Sequence, residues 1–312
     1  MAEPVAAAAL AIEALLGWPA WLHARTGHPV GLFARIIAGC ERRWNRAEDG
    51  AVRRRRAGIL AMVLLVALTA GAAAAVEAMV RACAGPLAWP LLALLAWPAI
   101  AARSLDDHVR PILRALGAGD LPGARQAVSM IVGRDTAALD SPGVARAAIE
   151  SLAESFCDGV VAPLFWLLVL GLPGAWALKA INTADSLVGH REEPFRAYGW
   201  AAARTDDLVM LVPARLAAVL LCLAGGGGWR TLARDHARHA SPNAGWPEAA
   251  MAGALGVRLA GPIAYDGVLA PKPWIGEDGR DAGPRDLARA LSIYRRACIV
   301  LGAIALGFAW LG

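Results

Sequence analysis

Residues 58–80 read GILAMVLLVALTAGAAAAVEAMV, an apolar run whose one charged side chain, Glu77, stands near its end. About 20 consecutive apolar residues are enough for a helix to cross the hydrocarbon core of a bilayer. The stretch therefore predicts a membrane-spanning helix, and that reading sets the fold class. The rest of the chain agrees with it. Hydrophobic residues make up 57% of the 312 and charged residues only 18%, with a mean hydropathy of +0.47, and the apolar runs are spread from end to end. The expected architecture is all-α: a multi-pass integral membrane helical protein with a re-entrant hairpin and helical cytoplasmic segments, forming one membrane-embedded domain over 1–312.

Immediately upstream, ERRWNRAEDGAVRRRR (41–56) carries seven arginines, and the positive-inside rule makes that side cytoplasmic. A second, shorter run, 86–102, follows a turn containing Arg81 and returns the chain, so that 103–157 lie in the cytoplasm. The localisation this predicts is the cell (inner) membrane. The next run, 160–181, is interrupted by Gly-Leu-Pro-Gly at 171–174. Two half-helices joined by such a turn can dip in and return where protein or water covers the irregular backbone. Leu208 to Ala224 contains Pro213 and Arg215, and an intramembrane arginine needs a partner or a cavity. Glu13 and Glu77 are tolerated in lipid only if they face the bundle interior. Residues 298–312 predict a short C-terminal membrane helix, and 225–296 form a long polar segment with no series of strands. The N-terminus lacks the basic region of a signal peptide and reads as a retained, partly buried helix.

The polar segments carry the chemistry. In RAAIESLAESFCDGVVAPLFW (146–166), Glu150, Glu154 and Asp158 recur at every fourth residue, which on a helix places three carboxylates on one face. Such a row is commonly a solvated face; its position against an apolar run favours a function. Upstream, GRDTAALD (133–140) combines Arg134, Asp135 and Thr136 with a turn, and Ser141-Pro142 offers an N-cap and a first helical position. Downstream, KAINTADSLVGHR (179–191) gathers Lys179, Asn182, Thr183, Asp185, His190 and Arg191, and ARTDDL adds Arg204, Asp206 and Asp207. A re-entrant hairpin would bring its polar flanks together, so the acid row and the NTAD segment would share one site. Carboxylates beside Asn and Thr suit Mg²⁺, which takes one or two carboxylates together with phosphate oxygens and water. His236 and His239 read as a solvated helix face before a metal pair, and Asp106-Asp107 as an acidic helix start.

Several classes are excluded or weakened. Neither lysine, Lys179 or Lys272, completes a GxxxxGK[ST] phosphate loop. Val-Val-Ala-Pro after Gly159 departs from the D-x-x-D-G-x-x-A-R pattern of membrane alcohol phosphotransferases. The five cysteines stand singly, which gives neither a disulfide framework nor a zinc site. The net charge of +5 has no basic stripe interleaved with aromatics, so nucleic acid is not a partner. A transporter would predict paired halves with broken helices, and none are evident; a non-catalytic membrane scaffold would explain the missing nucleotide motif.

The run MIVGRDTAALDSPGVARAAIESLAESFCDGVVAPLFW, followed by KAINTADSLVGHR, YGWAAARTDDL, VPARL, RHASPNAGWPEAAMAGALGVRLAG and ALSIYRRA, closely resembles the adenosylcobinamide-phosphate synthase family of cobalamin biosynthesis, often called CobD or CbiB. The resemblance extends from His28 to Arg296. It implies a membrane ligase that joins (R)-1-aminopropan-2-ol, or its phosphate, by an amide bond to the free propionate of adenosylcobyric acid, with ATP and Mg²⁺. It further implies a lipid bilayer and other late cobalamin-pathway membrane enzymes as partners. Read with that chemistry, Glu154, Asp158 and Asp185 are metal- or amine-binding acids and Glu150 a supporting acid or base. Arg134, Lys179, Arg191 and Arg204 are phosphate or propionate partners, and His190 is a proton shuttle. Asp135, Thr136, Asn182, Thr183, Asp206 and Asp207 complete the substrate-binding set.

Overall fold

The computed structural model describes residues 4–265, 268–270 and 272–311. In chain order the helices are α1 (Val5–Leu16), α2 (Ala20–Thr26), α3 (Val30–Trp44), α4 (Ala51–Ala84), α5 (Ala88–Ala96), α6 (Ala102–Gly117), α7 (Leu121–Ser129) and α8 (Ser141–Phe156). A π-helical turn, Cys157–Val161, leads into α9 (Ala162–Val188). Then come α10 (Phe195–Tyr198), α11 (Trp200–Val209), α12 (Leu211–Gly225), α13 (Trp229–Asp235), α14 (Gly245–Leu255) and α15 (Pro284–Leu311). Between α14 and α15 lie two antiparallel ladders, β1 (Leu259–Ala260) with β4 (Trp274–Ile275) and β2 (Ile263–Tyr265) with β3 (Val268–Ala270). The protein is all-α apart from these ladders. They are too short to show period-two alternation in a sequence.

Three helical stretches, Ala51–Gly117, Ser141–Val188 and Pro284–Trp310, are long and apolar enough to cross a membrane, and two further bent helix pairs pass the same test together. The chain divides into two compact units that alternate along the sequence. The first comprises Met1–Ala101, Ala162–Met210 and Ala305–Gly312, the second Ala102–Val161 and Leu211–Ile304.

In the first unit α4 packs against α9, with α3 and α11 on the same helix. Phe33, Ile37, Met62, Leu65, Ile181, Val188 and Tyr198 fill the space between them. Helix α4 begins at Ala51, so Arg53 to Arg56 form its opening turns instead of preceding it, and Leu60, Val63, Leu64 and Leu68 project outward as a lipid-compatible face. The turn that follows is made by Gly85 at φ 51°, beyond Arg81, which remains helical. Gly58 is required where α4 meets α10, because a Cβ there would lie 1.9 Å from the Tyr198 carbonyl oxygen. Helix α9 is broken at Gly171, φ 67°, ahead of Pro173, where the Gly-Leu-Pro-Gly sequence predicts an interruption. Glu77 meets that break: its Oε2 accepts the Leu172 N–H at 3.0 Å and its Oε1 pairs with Arg81 at 2.9 Å. Glu13 is likewise buried, on α1, which packs against α5.

In the second unit α8 packs on α6 and α14, and α14 on α12 and α13. Fully buried alanines, among them Ala145, Ala148, Ala249 and Ala252, let these helices approach closely. Asp106 does not open a helix as expected; it lies in the second turn of α6 and pairs with Arg110 and with Arg295 of α15, the latter at 2.7 Å. Tyr294 reinforces the same contact, donating to the Ala102 carbonyl at 2.5 Å and meeting Phe156 edge-on at 5.6 Å. The expected short C-terminal helix is the end of α15, which starts at Pro284. Arg215 of α12 finds its partner within the protein: it donates to Asn243 Oδ1 at 2.7 Å and lies 4.5 Å over the Trp246 ring. His236 stacks on that ring at 4.1 Å while His239 stands outside the helix, so the two histidines form neither a solvated helix face nor a metal pair.

Candidate functional site

The second unit builds its polar site from the start of α8. The Asp140 side chain accepts the Gly143 N–H at 2.8 Å and caps the helix, with Ser141 and Pro142 as its first residues. The cap is thus one residue earlier than Ser141, since Asp accepts at this position as well as Ser does. From there Glu150 is carried into the interior, 7% exposed, and Glu154 emerges one turn later. The π turn then intervenes. Asp158, half-buried, lies within that turn, which advances less per residue than an α turn. The three acids differ in exposure: Glu150 is buried, Glu154 exposed and Asp158 half-buried.

Both oxygens of Glu150 are engaged. Oε2 accepts from Arg134, and Oε1 accepts the Ala260 N–H at 2.7 Å and lies 3.9 Å from Arg146 Nε. Ala260 holds φ 56°, a left-handed backbone uncommon outside glycine. Arg146 Nε is buried without a hydrogen-bond partner, and its guanidinium lies 5.0 Å from the Trp274 ring, which Arg258 approaches at 4.5 Å. Arg134 precedes a short turn in which Asp135 accepts the Ala137 N–H at 2.8 Å and the Thr136 carbonyl accepts the Leu139 N–H at 3.2 Å. Those two residues shape the loop that presents Arg134.

Helix α14 contributes a further acid. Glu248 is 4% exposed, and its Oε1 lies 3.8 Å from His239 Nε2. Burial first, and the charges of Glu150 and Glu154 next, raise its pKa well above that of an ordinary glutamate, against the pull of Arg134 and Lys272. Burial and then Lys272 lower the His239 pKa. Both members of the contact are thus driven toward their neutral forms.

The NTAD residues assemble in the first unit, at the end of α9 and along α11. Asn182 donates to Asp206 at 2.5 Å, Thr183 to the Lys179 carbonyl at 2.6 Å, and Arg204 pairs with Asp207 at 3.2 Å. Asp185 is half-buried on the same helix end, and its carbonyl accepts the Gly189 N–H at 2.7 Å. His190 and Arg191 are exposed, with His190 tilted against Phe195 at 5.8 Å. Among the described residues no three His, Cys, Asp or Glu side chains are gathered as a metal cage; magnesium held by one or two carboxylates and phosphate oxygens needs none.

Residues 6–294 match the CobD/Cbib protein family. The chain belongs to the CobD/Cbib family. Among its relatives is the cobalamin biosynthesis protein CobD of Rhodobacter capsulatus, 52% identical over 307 residues that cover 95% of each chain. The protein of the same name from a Sinorhizobium species is 45% identical over 316 residues, 98% of this chain and 97% of the relative. That of Geobacter metallireducens is 44% identical over 286 residues, 88% and 87%. No solved structure matches the chain. Within this CobD/Cbib fold, the site residues absent from the sequence-derived set are Glu248, His239, Arg146 and Lys272. The available signal for Glu248 is that it is the one charge between His239 and Arg258, on a helix apolar all round and so a buried one.

Proposed function

We propose that this protein is the amide-forming enzyme of cobalamin biosynthesis that joins (R)-1-aminopropan-2-ol, or its phosphate, to the free propionate of adenosylcobyric acid. The observation that carries the reading is the buried mixed-charge cluster around Glu248, on a helix packed against α8. Amide formation needs an activated carboxylate, anion-binding groups to orient it, and an amine stripped of its extra proton. Arg134, held by Glu150, together with Arg146 and Lys272, supplies the anion-binding groups, and the unpartnered Arg146 Nε is a buried donor suited to a phosphate or carboxylate oxygen. ATP with Mg²⁺ would supply the phosphoryl or adenylyl group that turns the propionate oxygen into a leaving group. Glu154 and Asp158 would be the acids that hold that ion.

Glu248 has the character of a base for the amine. An arriving ammonium favours its ionised form, and a carboxylate whose pKa is raised toward the working pH accepts a proton from the attacking nitrogen more readily than an ordinary one. His239 lies within reach to relay that proton. In the first unit Asp185 and His190, with Lys179, Asn182, Thr183, Arg191, Arg204, Asp206 and Asp207, form a polar group of their own, whose residue types suit amide and phosphate groups. The test is incubation of the purified protein with adenosylcobyric acid, ATP, Mg²⁺ and each amine, followed by mass measurement of the corrinoid. The expected result is a gain equal to the amine less one water. An unchanged corrinoid with both amines would overturn the enzyme reading in favour of a scaffold.

A further inference from the structure

The end of α3, the turn after it and the start of α4 together hold seven arginines between 42 and 56, and they are not equivalent. Arg53 pairs with Asp49 at 2.9 Å. Arg54 is buried and donates to Asn45 at 2.7 Å and to Glu193 at 2.9 Å. The Arg55 guanidinium stacks 3.6 Å over the Trp200 ring. Arg42, Arg43, Arg46 and Arg56 have no carboxylate within 4.0 Å among the described residues. Two of these four, Arg43 and Arg46, line a cleft of about 280 Å³ together with Trp44, Asp49, Arg53, Ala57 and Leu60.

Charge bias alone does not account for this shape. Orienting a membrane protein requires only that arginines lie on one side of a span; it requires no cavity and no apolar wall. Ala57 and Leu60 belong to the opening turns of α4, within a stretch apolar enough to cross the bilayer. The cleft therefore stands where the headgroup layer gives way to hydrocarbon, a depth at which tryptophan is enriched, with unpaired guanidinium groups on its polar side. Its one carboxylate, Asp49, is already neutralised by Arg53.

We infer that this cleft binds the phosphate headgroup of an anionic phospholipid, with Arg43 and Arg46 on the phosphate and Ala57 and Leu60 against the first carbons of the acyl chains. The site is separate from the amide-forming cluster and does not depend on that assignment. Native mass spectrometry of the full-length protein, released from detergent containing equal amounts of phosphatidylglycerol and phosphatidylcholine, tests it. Wild type should retain phosphatidylglycerol selectively. The Arg43→Gln/Arg46→Gln variant should bind it about 30-fold more weakly, since each near-surface arginine contributes roughly fivefold. Arg42→Gln/Arg56→Gln removes the same charge outside the cleft and should stay close to wild type, while Arg43→Lys/Arg46→Lys should recover most of the retention. Equal losses in the two glutamine variants would overturn the inference in favour of a diffuse charge effect, and so would equal retention of both lipids by wild type. Displacement of phosphatidylglycerol by millimolar inorganic phosphate would replace the lipid with free phosphate as the ligand. Circular dichroism unchanged from wild type confirms that these exposed substitutions leave the fold intact.

Discussion

Glu150 and Glu154 are one helical turn apart and differ in almost every physical respect. Glu150 is buried with both oxygens engaged by Arg134 and the Ala260 N–H, whereas Glu154 is exposed. Glu150→Gln removes one partner of a buried ion pair and leaves the Arg134 charge uncompensated, a change that costs about 3 kcal/mol or more. Glu154→Gln should move stability by no more than roughly 0.5 kcal/mol. Thermal unfolding in detergent separates the two. Glu248 gives a pH dependence of defined sign. Its folded pKa is raised, by burial first and by Glu150 and Glu154 next, so the native protein keeps a proton that the unfolded chain releases near pH 4.3, roughly the ordinary glutamate value. The stability from this group is complete below that pH and is lost as pH rises through the folded pKa. The Glu248→Gln variant lacks that loss, so its unfolding temperature should gain on wild type as pH rises. His239, neutralised by burial and Lys272, acts in the opposite sense, losing its contribution as pH falls.

At the scale of elements, what was legible in the sequence was what local chemistry dictates. Gly-Leu-Pro-Gly marks the break in α9 because a glycine at φ 67° and a proline near a helix start act through their own backbones. That break has a test. A Cβ on Gly171 would lie 2.6 Å from Glu77 Oε2 at a backbone angle alanine disfavours, so Gly171→Ala should cost more than about 1 kcal/mol. Glu77→Ala leaves the Leu172 N–H without its carboxylate and should cost about 1–3 kcal/mol. Thermal unfolding of both variants checks this; unchanged stability in both would mean the Glu77 cap contributes nothing. The π turn at Cys157–Val161, which contains Asp158, was not legible, because no residue type specifies it. Glu248 was obscured for another reason. An acid in the first turn of a helix satisfies the helix dipole, a bland role that conceals its burial. The start of α15 was missed because its opening turns are polar and only its end is apolar.

At the scale of the whole molecule, composition and the spread of apolar runs gave the membrane class, and the long ordered motifs gave the family. The division into two units was not legible, since each is assembled from segments far apart in the chain and no local pattern encodes such pairing. The positions of the site residues follow from that division: Glu150, Glu154, Asp158 and Glu248 belong to the second unit, Asp185 and His190 to the first.

The central claim is that the cluster around Glu248 performs amide formation, and the measurement that tests it most directly is corrinoid product formation by Glu248→Gln against wild type at matched membrane abundance. Glutamine preserves the shape and the neutral charge that the buried site favours, so the fold should be kept while the capacity to take up a proton is lost. The account predicts a fall in turnover on the order of 10²-fold or more, with no loss of thermal stability. Near-normal turnover by Glu248→Gln would contradict it.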